Sequence, residues 1–520
     1  MNDTAPQDAT TEPAAGYQDL KYYFANLNTM FSIRNTLATD MMTSMPFGGL
    51  ERRINDISSI TKRIYAETTT PTVTKLLDQV QSQATNNSEN WNEWDLANLR
   101  EMRRIHSHLA ALTPDLYLAS VQVSNQGRRK HKQVLKSGDW NEAKNYISQV
   151  VDLYKRIGEL KQKKFETRTP YKALLLGYAS DISENEMDTL YDNLLSPLQD
   201  LHVKALNKQA SQPAPLKLKG DFSKEDQMWL NKTILELMGF DFNRGDIFTT
   251  NLAPMTGGSA QDARILVRCG DSNTFLDSLE DTLYQGARGL YLQNLPADWH
   301  TQPVGQDQGA LIMNALSILY ETMIGRTPQF FNFISVRAEG VFRQFNNQSF
   351  NPENLYQLKK HVSKTTMRNE AGEISKIFHD ILRYRIERDL INGDLKVDDL
   401  QERWNEESRT LIGLEPKGLT DGVLQNPDWF TGRFGFIPTN TLSHIIAAQM
   451  QNKLFETTPD LRDQIEQGQF EGMGSWLKDN IHSKGRSVDA LAMVKSLTGE
   501  ELSEKHLLTH LERRFLSDRR

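Results

Sequence analysis

Apolar residues recur at intervals of three and four through most of the chain, and that spacing lays them along one stripe of a 3.6-residue helix. Leu20, Tyr23, Phe24, Leu27, Met30 and Phe31 carry the pattern from Tyr17 to about Leu37, before MPFGGL at 45–50 interrupts it. Further helices are predicted at 51–67, 71–85, 91–112, 114–136, 139–164, 167–178, 184–209 and 223–239, each bounded by Pro, Gly or clusters of Asn, Asp and Ser. The β-branched, alternating stretch ARILVRC, between FTTNLAP and GDSNTF, predicts a small sheet within 247–269. Beyond it the helical period resumes at 274–294, 309–325, 328–345, 352–361, 370–392 and 397–410, then near 439–454, 458–467, 469–481, 487–496 and 503–516. No repeat, low-complexity block or obvious linker divides the chain, so residues 17–516 are expected to form one large domain between a disordered tail at 1–16 and a short one at 517–520.

Composition narrows the partners. A net charge of −7, with 24% charged residues of both signs interspersed, offers no basic field for nucleic acid or an anionic membrane. The start, MNDTAPQDATTEPAAG, has neither a basic nor an apolar leader segment, and no apolar run is long enough to cross a bilayer, which predicts a cytoplasmic protein. The single cysteine, Cys269, cannot form an intrachain disulfide or a Cys-based zinc ribbon, and is expected to be a buried inert thiol.

One stretch has the frame of a metal site without its chemistry. In LYQGARGLY at 283–291, Tyr284 and Arg288 stand four residues apart on one helical face. That is the spacing of HExxH, where two histidines ligate zinc and the glutamate between them is the general base. Here Gln285 holds the place of the base and cannot accept a proton from water. Twenty-six positions after Arg288, Asn314 is the only amide in the apolar helix ALIMNALSILYETMIGR. Two-helix zinc proteases deliver a carboxylate from such a second helix, and an uncharged amide is a poor substitute.

Other constellations carry less. His506 and His510 have metal-pair spacing but lie on the last predicted helix, and His106 with His108 point to different sides of theirs. His361 and His379 fall on separate helices. Ser317, Ser335 and Ser443 lack a nucleophile elbow, and Gly257 with Gly258 lacks a phosphate-loop lysine, so it reads as a turn.

The segments YQDLKYYFANL, MPFGG, NLREMRR, YKALLLGYASDISENEMDTLY, LYETMIGR and ILRYRIERDLINGDLKVDDLQERWNE together resemble the Taq-type thermostable metallocarboxypeptidase family, from Tyr17 to about Leu516. The resemblance implies a mostly α, zincin-like helical fold with a central cleft and a small β-sheet beside it, a homodimer, and removal of single residues from peptide C-termini by a zinc- or cobalt-dependent site. The departures fall on the family's chemistry. Its HPF is Leu252, Ala253 and Pro254; its DxRxT keeps Asp262 and Arg264 but has Leu266; its LHEAGHALY is LYQGARGLY; its HESQ is Met313 to Leu316, with Asn314 at the third ligand position. RxxAD keeps Arg368 and ends in Gly372, GxxQDxHW keeps Gln425 but has Asn426 and Asp428, and FGYFP has Phe436 for tyrosine.

The expectation is therefore a homologue without zinc or cobalt and without hydrolysis, which acts by binding peptide C-termini or a partner. That partner is expected to be a second copy or an active paralogue in a heterodimer. Arg288 is read in two ways: as a stand-in for the metal's charge paired with Asp281 or Glu321, or, with Arg264 and Arg368, as a receptor for a terminal carboxylate. The competing readings are an active metallocarboxypeptidase with a non-standard metal site and a scaffold with a closed cleft.

Overall fold

A computed structural model describes residues 15–86, 89, 91–179, 182–270 and 274–517. Most of the predicted tail, residues 1–14, lies outside the described residues, as do 518–520, and the first helix, Ala15–Thr43, already includes the last two positions assigned to the N-terminal tail. Helices dominate, as the periodicity requires. Their ends follow local chemistry: Ser183 and Glu186 form a reciprocal capping box at the start of Glu184–Ala210, and Thr274 with Asp277 does the same for Phe275–Gln293. The predicted helix at 167–178 is only Pro170–Leu175. The predicted helix at 309–325 is two pieces, an α-helix Ala310–Ile318 followed by a π-helical segment Leu319–Ile324.

The sheet falls where ARILVRC placed it. Strands β1 (Gly245–Thr249), β2 (Met255–Ser259) and β3 (Asp262–Val267) run in the order β1-β3-β2, with β3 parallel to β1 and antiparallel to β2. Gly258, in β2 just before the β2–β3 turn, has φ +90°, and a Cβ there would lie 1.8 Å from the Asp262 carbonyl oxygen.

The Phe275–Gln293 helix packs closely on the sheet through Gly289 and on the Lys224–Leu237 helix through Gly286. A Cβ on Gly289 would come within 2.8 Å of Phe240 and 2.9 Å of Ile265, and one on Gly286 within 2.5 Å of Leu235. The glycines of LYQGARGLY thus seat the helix on its neighbours. Alongside it lies Ala310–Ile318, which packs in turn on Pro438–Thr457, and both are largely buried. A smaller apolar cluster forms between the first helix and the helices Pro71–Asn86 and Glu93–Ala110, around Tyr17, Phe24, Leu77 and Met102. Buried Asn98 ties that part to the rest, donating to Gln302 Oε1 (3.1 Å) and accepting from the Val304 amide (3.2 Å). No helix among the described residues is long and apolar enough to cross a membrane.

Candidate functional site

A cavity of about 970 Å³ opens between the Phe275–Gln293 helix, the Ala310–Ile318 helix with its π extension, the start of Glu373–Asn392 and the loop before Pro438. Three residues singled out in the sequence meet at its wall. Arg288 donates from Nη2 to Asn314 Oδ1, from Nε to Ser317 Oγ (3.1 Å), and approaches the Tyr284 hydroxyl at 3.5 Å. Tyr284 donates to the same Asn314 oxygen at 3.4 Å, and the guanidinium lies 5.1 Å from the centre of its ring. The i, i+4 spacing on one helix and the amide on the next therefore converge on one point, which is what the resemblance requires of its three ligand positions.

Among the described residues Arg288 has no acidic partner. Asp281, one expected partner, is engaged by Arg268, which donates to it through Nε (2.9 Å), Nη2 (2.8 Å) and its backbone amide (3.1 Å). Glu321, the other, pairs with Arg326. Arg326 also holds Glu280 (3.0 Å) and Glu373 (3.2 Å), and Glu373 in turn receives Arg514 (2.8 Å). Burial opposes the charge of Glu373, but Arg514, His510 and Arg326 hold its carboxyl well below the usual range. The expected Arg288–carboxylate pair is thus replaced by a guanidinium–amide–phenol cluster, because Arg268 and Arg326 already hold both acids.

The three arginines expected to form one pocket do not. Arg264 pairs with Asp262 two residues away on the same face of β3 (2.9 and 3.0 Å), and neither lines the cleft. Arg368 does line it, held by Asp380 at 2.8 Å. Gln425 lies outside the cleft wall but fixes the Arg368 loop, accepting from the Arg368 amide (2.8 Å) and donating to Thr366 (2.9 Å). Phe436 lines the cleft, with the Arg433 guanidinium 3.8 Å from its ring centre. Gln285 is 5% exposed and lines the cleft, while Thr256 Oγ1 contacts its backbone and side-chain oxygens (2.9 and 3.0 Å). Arg268, Arg326, Lys376 and Arg433 also reach the cavity and were not singled out, since no motif or spacing in the sequence marks them.

The remaining candidates are structural. His506 contacts Glu500 (3.0 Å), His510 contacts Gln451 (3.2 Å), and His379 meets the Thr365 carbonyl (3.2 Å), so none of these pairs converges. Cys269 is buried against Asn231 and Met228, and burial pushes its thiol up to about 11, which leaves it unreactive at neutral pH.

The donors present do not suit a divalent metal. Zinc sites use neutral imidazoles and carboxylates or thiolates, whereas a guanidinium occupies the point where Tyr284 and Asn314 meet and stays cationic at any accessible pH. Among the described residues no group of three His, Cys, Asp or Glu side chains is placed to hold a metal ion.

The sequence profile of the carboxypeptidase Taq (M32) metallopeptidases matches residues 19–515. "Thermostable carboxypeptidase 1" of Thermus thermophilus is 25% identical over 513 residues, spanning 97% of this chain and 99% of its own. "Carboxypeptidase 1" of Bacillus subtilis is 24% identical, over 92% and 93% of the two chains. The solved structure of Trypanosoma cruzi metallocarboxypeptidase 1 superposes with a TM-score of 0.92 at 25% identity, covering 96% of this chain and 99% of that one. The chain belongs to the M32 carboxypeptidase Taq family.

Proposed function

We propose that this M32 family member binds peptides by their C-termini without hydrolysing them, and without zinc or cobalt. The observation that carries the reading is the cluster at the cleft wall, where Arg288 donates to Asn314 and contacts Tyr284. A cation bound by those oxygens would share the site with a permanent positive charge. Gln285, at the position of the general base, has no basicity to activate water. The cleft still has about 970 Å³ of space and a guanidinium, Arg368, at its wall, which supports binding over a closed scaffold. The protein acts on this reading in the cytoplasm, as a homodimer or paired with an active paralogue.

The test is metal content per chain, by elemental mass spectrometry after dialysis against micromolar zinc, cobalt and manganese, run beside an assay for release of C-terminal residues. Less than about 0.1 equivalent of metal and no release are expected. A stoichiometric ion with turnover would establish the active, non-standard metalloenzyme instead.

A further inference from the structure

The acids and the cations of the cleft are not evenly matched in partners. Every acid at its wall is engaged: Asp281 by Arg268, Glu280, Glu321 and Glu373 by Arg326, Asp277 by Lys359 (3.5 Å), Asp307 by the Gly309 amide (2.8 Å), and Asp428 by Arg383 (3.7 Å). On the cationic side Arg268, Arg326 and Arg368 have carboxylates. Three others at the wall have none among the described residues. Arg288 meets only an amide and hydroxyls, and its Nη1 carries no hydrogen bond. Arg433 is stacked on Phe436. Lys376, half-buried on the first turn of Glu373–Asn392, has neither a hydrogen bond nor an ion pair.

The ammonium of Lys376 is poorly stabilised. Burial, then the neighbouring Arg326, holds its pKa below the ordinary lysine value, with Glu321 and Glu280 only partly compensating. A half-buried ammonium without an acceptor gains much from an incoming anion, because the cost of desolvating it has already been met by the fold. One carboxylate can be shared by a guanidinium and an ammonium, as Glu280 is between Arg326 and Lys359, but three unmatched cations line this wall, so a ligand with a single carboxylate leaves at least one of them without a partner. A ligand with two carboxylates can meet all three.

Taking the peptide-binding reading as its premise, we propose that the cleft selects peptides whose C-terminal residue is itself acidic, the α-carboxylate going to a guanidinium that has no carboxylate partner, Arg288 or Arg433, and the side-chain carboxylate to Lys376. Lys376 is then the specificity-determining residue, and the three unmatched cations become the recognition surface.

The experiment is calorimetric titration of the full chain at pH 7 and low salt with four probes: acetyl-Ala-Ala-Glu, acetyl-Ala-Ala-Gln, acetyl-Ala-Ala-Glu amidated at its C-terminus, and free glutarate. The Glu peptide should bind at least about tenfold more tightly than the Gln peptide, about 1.4 kcal/mol, and amidation should abolish most of its affinity. Lys376→Met should bring Glu and Gln peptides within about twofold of each other, chiefly by weakening the Glu peptide, and Lys376→Arg should retain the preference. Equal binding of Glu and Gln peptides by the unmodified protein overturns the acidic preference and leaves C-terminal binding standing. No binding of any peptide overturns both. Glutarate binding as tightly as the Glu peptide shows a small dicarboxylate site and overturns the peptide assignment. The unmodified protein decides between these outcomes even if the Lys376→Met variant does not fold.

Discussion

Introducing the four side chains of the family motif tests whether Arg288 opposes metal binding. Tyr284→His, Gln285→Glu, Arg288→His and Asn314→Glu together rebuild the family's ligand set and base on helices that already converge, since the Tyr284 hydroxyl lies 3.4 Å from Asn314 Oδ1 and 3.5 Å from Arg288 Nη2. An ion held by the Tyr284 and Asn314 oxygens would sit about 4 Å from the guanidinium. A divalent ion and a unit charge at that separation repel by about 8 kcal/mol at an effective dielectric of 20, which is about six decades of affinity. Zinc sites in small domains are worth about 10–16 kcal/mol, so one misplaced guanidinium removes half or more of that. The quadruple variant should bind one zinc per chain by elemental mass spectrometry and give a tetrahedral cobalt spectrum. The triple variant that retains Arg288 should bind none, and the same three changes with Arg288→Gln, which lacks that ligand equally but carries no charge, should recover part of the affinity and so separate the charge from the missing ligand. A quadruple variant that is folded by circular dichroism yet holds less than about 0.1 equivalent would refute the reasoning, and would move the cause to outer residues such as Gly372 and Asn426.

Arg288→Met should cost only about 1–2 kcal/mol in denaturant unfolding, because its loss removes one donor to an amide oxygen that the Tyr284 hydroxyl still reaches, and leaves no carboxylate unpaired; a loss of about 3–5 kcal/mol, the scale of an orphaned buried charge, would mean an acid faces it. Arg326→Met should cost that larger amount, about 3–5 kcal/mol, since Glu280, Glu321 and Glu373 all converge on its guanidinium, and a change under about 1 kcal/mol would show the cluster to be solvated. His482 is 2% exposed, has no hydrogen bond on either ring nitrogen, and burial pushes its pKa down to about 3. Its folded pKa lies below the unfolded value, so its contribution is complete above pH about 6.5 and declines by about 1.4 kcal/mol per unit as pH falls. His482→Phe should flatten stability against pH between about 6 and 4 by that slope, whatever its absolute stability, and parallel curves for the two proteins would show that His482 titrates normally.

What the sequence disclosed and what it concealed follow from the range of the interactions. The 3.6-residue period marked the Phe275–Gln293 helix to within a residue at each end, because one apolar stripe faces one core. It did not mark the π-helical segment at Leu319–Ile324, where a change in hydrogen-bond register leaves the apolar pattern almost unaltered. The meeting of Tyr284, Arg288 and Asn314 was legible from spacing and resemblance together. The partners of Arg288 were not, because charge complementarity between Arg288 and Asp281 says nothing of Arg268 and Arg326, which reach the same acids from other elements. The Asp262–Arg264 pair could have been read from the strand period, which puts i and i+2 on one face and lets the two satisfy each other away from the cleft. Lys376 and Arg433 belong to no motif, and only the fold brings them to the cavity wall.

The charge at the centre of the cleft offers a reason why so much of the surrounding network can persist on the non-hydrolytic reading. A divalent zinc held by two neutral imidazoles and one carboxylate carries a net charge of about +1. Arg288 between a neutral phenol and a neutral amide carries the same. Groups a Debye length or less away, such as Arg368 with Asp380 and the acids around Arg326, would then experience nearly the same field in both cases, and need no compensating change. What differs is chemistry rather than electrostatics: the guanidinium offers hydrogen-bond donors to a carboxylate but no vacant coordination position for water. Arg288→Lys would preserve the charge and lose the planar fork, and Arg288→Met would lose both, so peptide affinity falling at the first substitution points to bidentate recognition, and falling only at the second to the field alone.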